Sequence, residues 1–265
     1  MSFNLAKTLT VKKSRRDRIK FNRIVLTKRQ KAELRAIYLR TVYYWQEVYA
    51  DQILQELPTT DSIEGAENEF DRAEKGAGVL IRVLVADLEN WFTKTIGWHT
   101  EKWQEDVKNK TGTDIKGFTK DLTKDEKVKA LIKANTSLIK DISSTARKSV
   151  EYAVYEVFTG RSTRTEATKQ INKALRSTVK RATNIANDQA NKLNARLNRE
   201  RNEEAEIDWY EWVHSGKTNF RKDHKARHGK LFRWDDPPSG GHPGEEINCG
   251  CTSKAVLMID GERIN

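Results

Sequence analysis

Cysteine is nearly absent from these 265 residues: there are two, Cys249 and Cys251, one residue apart. A Cys-x-Cys pair makes no disulfide framework, and a bridge within it would be strained, so both are read as reduced thiols or metal ligands. Glycine (14) and proline (4) are also sparse, which excludes collagen-like and Pro/Gly-rich low-complexity chains. No window approaches the ~18 consecutive apolar residues of a membrane span, and the N-terminus lacks an apolar core followed by a cleavage site. The expectation is a soluble, unexported chain with no membrane partner. Apolar residues make up only 37% against 33% charged, which points to long amphipathic helices with much exposed face, or to a chain ordered within an assembly. The length is ample for a core that needs no staples.

Negative charge is scarce at one end. Residues 1 to 40 hold two acids, Asp17 and Glu33, against Lys7, Lys12, Lys13, Arg15, Arg16, Arg18, Lys20, Arg23, Lys28, Arg29, Lys31, Arg35 and Arg40. This segment alone accounts for the chain's net charge of +11. A block of this sign suits a polyanion or an acidic protein surface, because Lys and Arg that neutralise phosphates release counterions. Lys12, Lys13, Arg15, Arg16, Arg18, Lys20, Arg23, Lys28 and Arg29 are the candidate polyanion-binding residues.

Residues 1–26 show no helical or strand period and read as an extended arm that orders on binding. From Thr27 the apolar positions Leu34, Ile37, Tyr38, Val42, Trp45, Val48 and Ile53 recur at three- and four-residue spacing until Pro58. The acid-rich stretch from Asp61 to Glu74 reads as an exposed linker, fully irregular or in part helical, ending at Gly76 and Gly78. Leu80, Leu84, Leu88 and Trp91 then mark a helix with a break at Gly97. Thr123-Lys-Asp-Glu126 and Thr163-Arg-Thr-Glu166 both fit a capping box. The first opens a helical region kinked near Ser143 and stopped at Gly160, and the second opens two helical patterns running to about Glu204. From Ile207 the chain turns to β-formers, with strands expected over 207–214, 231–234 and 254–259 and a turn-rich loop at 235–241. The fold class is α+β: a mainly helical body with a small C-terminal domain of helices and a short sheet. The expected organisation is a basic arm (1–26), a helical body (27–149) and a C-terminal domain (150–265).

Residues 212–251 hold both cysteines, four of the five histidines and three of the four prolines. His224 and His228 lie four apart, on one face if the segment is helical, and imidazoles with thiolates make a donor set for tetrahedral zinc. The candidate ligands on this reading are His224 and His228 with Cys249 and Cys251. Three other readings stay open. The same residues suit packing and hydrogen bonding, either cysteine with a histidine base could act as a nucleophile, and Asp235 with Asp236 or Glu245 with Glu246 could do acid–base work.

Arg181-Ala182-x-x-Ile185-Ala186, Trp212, Arg221-x-x-His224, Gly229-Lys230, Pro237 and His242-Pro-Gly-x-x-Ile247-Asn-Cys249-x-Cys251 resemble the C-terminal domain of the phage Mu F-like minor head proteins, the head morphogenesis family of tailed bacteriophages. The resemblance covers about residues 150–258. This chain has Asn187-Asp188-Gln189 where the family has Arg-Thr-Glu, Lys217 where the family has an acid, and Gly250 where the family has Arg between the cysteines. Some relatives carry Cys-x-x-Cys in place of Arg221-x-x-His224, which implies a shared zinc site at His224, Cys249 and Cys251, with His228 or His242 as a fourth ligand. The resemblance implies a non-enzymatic minor capsid protein of the virion, made in the host cytoplasm. Its expected partners are the portal protein and the major capsid protein, its basic arm lies near phage DNA, and its roles are in head assembly and DNA packaging or ejection. A zinc- or cysteine-dependent hydrolase acting on nucleic acid or cell wall is the alternative.

Overall fold

Long amphipathic stripes and a few well-placed caps build most of this chain. A computed structural model describes residues 2–9, 18–48 and 63–259. Four long helices run over Lys28–Val48 (α1), Ile63–Thr111 (α2), Glu126–Phe158 (α3) and Arg164–Glu204 (α4), and a short one over Lys222–Ala226 (α5). Strands cover Arg18–Lys20 (β1), Trp209–Val213 (β2), Leu231–Arg233 (β3) and Thr252–Met258 (β4), in one sheet of order β1-β4-β2-β3 whose neighbours are all antiparallel. The mainly helical α+β expectation holds. No helix among the described residues is long and apolar enough to cross a membrane.

The residues fall into two compact units that do not follow chain order: residues 31–91 with 130–187, and residues 1–30 with 92–129 and 188–265. The boundary expected between residues 149 and 150 falls inside α3.

In the first of these units, Leu34, Ile37, Tyr38, Val42 and Trp45 of α1 are buried, as are Leu84 and Leu88 of α2 and Ile139, Ile142 and Val150 of α3. The expected linker before Gly76 is instead the start of α2. Its stripe is carried by Phe70 with Ala73 and Ala77, and alanines bury well but signal weakly. Gly76 lies within α2 because a Cβ there would meet the Tyr44 hydroxyl oxygen at 2.2 Å, and that hydroxyl donates to the Ala73 carbonyl at 2.8 Å. α2 also continues through Gly97. α3 has no break at Ser143, whose hydroxyl accepts a 2.9 Å bond from the Trp45 indole N–H and so gains a partner on a buried face. It ends in a Schellman turn: Gly160 sits at φ +69, Gly160 N donates to Val157 O at 3.1 Å and Arg161 N to Glu156 O at 2.9 Å. The Thr163 capping box forms as expected, with Thr163 N donating to Glu166 Oε2 at 2.9 Å and Glu166 N to Thr163 Oγ1 at 3.3 Å. A single helix, α4, follows it rather than two.

In the second unit, α3 is capped differently from expectation. Asp125 Oδ1 accepts from Lys127 N at 2.9 Å and Val128 N at 3.2 Å, while Thr123 is held by Asp121 in the preceding turn. The arm also departs from expectation. Phe3 N donates to Glu204 O at 2.8 Å, β1 pairs with β4, and Leu5, Phe21 and Ile24 join Trp103, Val107, Ile115, Ile207 and Leu257 in a buried cluster. An arm that stays extended until it is bound is therefore corrected for residues 2–9 and 18–26. An edge strand and a 3-10 turn can fill a core without the periodicity that marks longer elements.

Behind this cluster lies a buried polar network. Arg201 donates to Glu204 Oε2 at 2.7 Å, to Lys120 O at 3.0 Å and to Thr100 Oγ1 at 2.7 Å. Asn194 and Asn198 donate to Ile24 O at 3.1 and 3.3 Å, which ties the N-terminal segment to α4.

Candidate metal centre

β2 alternates half-buried and buried residues, so Tyr210 and Trp212 share one face. With Trp234, Cys249, Cys251 and the partly buried Phe232 they form a second core cluster. The pairing Val213↔Thr252 ends the β2–β4 ladder and leaves Cys251 at the ladder's mouth. His224 arrives on α5, in the connection between β2 and β3. That connection closes where Gly229 N donates to Trp212 O and Trp212 N to Lys230 O, both at 2.9 Å.

The turn bearing the cysteines needs its unusual residues. Gly244 sits at φ +91, and a Cβ on it would come 2.7 Å from the Ala195 Cβ. Asn248 takes the left-handed conformation at φ 60, which Asn tolerates better than most residues, and its N–H donates to Asp188 Oδ1 at 2.6 Å. Asp188 stands in the Asn187-Asp188-Gln189 triplet that departs from the resemblance, and this bond gives it a structural role. The departures at Lys217 and Gly250 meet in space: a Cβ on Gly250 would lie 2.9 Å from Lys217 Cε and 3.1 Å from its Nζ.

His224, Cys249 and Cys251 converge. His224 Nδ1 lies 3.5 Å from Cys249 Sγ and 3.8 Å from Cys251 Sγ, and the three donor atoms are all within 4.8 Å of one another. The three residues are only 3–4% exposed. The far ring nitrogen, His224 Nε2, faces Glu246 Oε2 at 3.4 Å, and Arg221 Nε holds the same carboxylate at 2.9 Å. Trp212 packs edge-on against His224 at 5.1 Å, with the Arg227 guanidinium 5.0 Å over the indole. A hydrogen bond from Cys251, aided by the Cys251 and Gly244 backbone N–H groups, pulls the Cys249 thiol down to about 5. Cys251 is correspondingly raised, first by that shared hydrogen bond and then by burial.

The other sequence candidates lie elsewhere. His228 Nδ1 accepts from the His214 backbone N–H at 3.3 Å. His242 Nδ1 meets the Tyr210 hydroxyl at 3.0 Å, its ring lies 4.9 Å from that of Trp234, and burial lowers its pKa. Three of the paired acids have structural partners: Asp235 takes a two-pronged contact from Arg233 at 2.7 Å, Glu245 accepts from His242 N at 2.8 Å, and Glu246 pairs with Arg221.

Of the polyanion candidates, Lys12, Lys13, Arg15 and Arg16 lie outside the described residues. Arg18, Arg23, Lys28 and Arg29 are exposed, whereas Lys20 pairs with Glu211. Although Arg23 is exposed as a whole residue, partial burial of its guanidinium lowers its pKa, an effect opposed by Cys251. Sequence reasoning missed the polar network around Arg201. Its signal was a row of Asn194, Asn198 and Arg201 at helical spacing beside the apolar Leu193 and Leu197.

Residues 99–254, more than half the chain, match the family described as phage Mu protein F like protein. A protein of Haemophilus influenzae (strain ATCC 51907 / DSM 11121 / KW20 / Rd), described only as uncharacterized, is 37% identical over 153 residues, which is 57% of this chain and 34% of that protein. The chain thus spans about a third of the length of that relative. No solved structure matches significantly. The match over residues 99–254 places this chain in the phage Mu protein F like family.

Proposed function

We propose that this chain is a non-enzymatic minor structural protein of a tailed-phage head, which docks on the portal or the inner capsid surface and takes part in head assembly and in DNA packaging or ejection. The family match over residues 99–254 carries this reading. Charge placement supports it. The first turn of α1 holds Lys28, Arg29 and Lys31 and no acid, although the helix dipole favours anions there. A concentration of positive charge suits DNA phosphate or an acidic portal or capsid surface. Quantitative mass spectrometry of purified particles tests the proposal. A fixed low copy number per particle is expected, and absence of the chain from particles that contain portal and capsid proteins would overturn it.

A further inference from the structure

We propose that His224 Nδ1 and the sulfurs of Cys249 and Cys251 bind one Zn2+ ion, with water as the fourth ligand, and that this ion fastens residues 214–251 to the sheet. The proposal does not rest on the head-protein reading. Zn–N distances of about 2.0–2.1 Å and Zn–S distances of about 2.3 Å make a tetrahedron with N···S edges of about 3.6 Å and an S···S edge of about 3.8 Å. The observed N···S distances are 3.5 and 3.8 Å. The three side chains already stand at the vertices of such a site and need only small shifts to close on an ion.

The surroundings point the same way. Metal-bound imidazoles usually direct their free ring nitrogen at a carboxylate, which fixes the tautomer and strengthens the ligand. Here His224 Nε2 is buried without a hydrogen-bond partner and lies 3.4 Å from Glu246 Oε2, which Arg221 holds at 2.9 Å. The Trp212 indole N–H, beside the His224 ring, is also buried without a hydrogen-bond partner. Two thiolates and a neutral imidazole also neutralise a divalent ion, so the buried site carries no net charge. A mixed nitrogen–sulfur tetrahedron favours zinc over the harder divalent ions.

The ion would hold a segment that has little else to hold it. Between β2 and β4 the chain makes only a five-residue helix and a three-residue strand, and both cysteines are themselves part of the local core. Metal binding energy there is folding energy.

The experiment uses the full chain, purified without chelator, for elemental analysis, then stripped and titrated with Zn2+ and with Co2+. The expected result is one zinc per chain and a cobalt spectrum with a thiolate-to-metal band, about halved in Cys249→Ser and in Cys251→Ser. Stripping should speed amide exchange within residues 214–251 on the order of tenfold or more while leaving residues 130–187 unchanged. A stripped chain that takes up no zinc, a cobalt spectrum without the thiolate band, or a band unchanged in both variants would each overturn the proposal. Should a variant fail to fold, the cobalt spectrum and exchange of the unaltered chain still decide. Loss of the chain from particles would leave these outcomes untouched.

Discussion

Acid should weaken this protein through His99, by an amount the structure sets. His99 is 1% exposed in α2, and its Nε2 lies 2.9 Å from Asn198 Oδ1. Because Asn198 Nδ2 donates to Ile24 O, its oxygen must face the ring, so Nε2 carries the hydrogen. Nδ1 is buried without a partner, and a second proton there would have no acceptor. Burial, reinforced by the Arg201 charge and partly opposed by the Asn198 bond, lowers the His99 pKa from 6.5 to about 4. The folded state therefore binds this proton less readily than the unfolded chain. Its contribution is complete above pH 6.5, is lost progressively as the pH falls towards 4, and is flat below. The gap corresponds to about 3 kcal/mol. Urea unfolding followed by far-UV circular dichroism, at pH values from 7.5 to 4, would be compared for the unaltered chain and His99→Gln, which keeps a side-chain donor but does not titrate. The stability difference between the two should shrink or reverse by about that amount across this interval. A difference that stays constant from pH 7.5 to 4 refutes the reasoning.

Removing one partner of a buried ion pair strands the other, so Arg201→Ala should cost about 3–5 kcal/mol in urea unfolding, while Arg201→Met with Glu204→Leu should recover much of that loss. Gly76→Ala would ordinarily gain about 1 kcal/mol in a helix, but here it displaces the Tyr44 hydroxyl from Ala73 O and should give no net gain; on a Tyr44→Phe background the same change should stabilise by up to about 1 kcal/mol, read as a shift in Tm. Thr163→Ala removes the cap of α4 and should cost about 1 kcal/mol in thermal unfolding. For the exposed Arg18 and Lys28, replacing both by Gln should lower the slope of log affinity against log salt for duplex DNA by about two, and an unchanged slope would remove them from the phosphate contacts.

Several of these features were legible in the residues, and the rest depended on competition that a pattern does not display. Thr123-Lys-Asp-Glu126 and Thr163-Arg-Thr-Glu166 are the same motif, yet only the second forms a capping box. Asp125 sits next to the first turn of α3 and supplies the stronger acceptor, while Asp121 occupies Thr123. Thr27 and Gln30 form a capping box at α1 with Gln in place of Glu, Thr27 N donating to Gln30 Oε1 at 2.8 Å and Gln30 N to Thr27 Oγ1 at 3.1 Å. The start of α2 was hidden because alanines carry its stripe.

The candidate metal centre shows the same division between residue type and arrangement. Its donors were visible as the histidines and cysteines of a turn-rich stretch, but which histidine joins the thiols depends on where helices stop. His224 and His228 would share a face only if the helix reached both. α5 ends at Ala226, and Gly229 at φ +80 turns the chain into the β3 connection, so His228 is carried back to His214 while Tyr210 holds His242. Between the two cysteines, Gly250 lacks the side chain that Lys217 and Ser215 would otherwise meet. Where the resemblance has an acid and an arginine, this chain has Lys217 and Gly250, and because the two lie side by side the lysine stem occupies the space beside the thiols and brings a positive charge to their border.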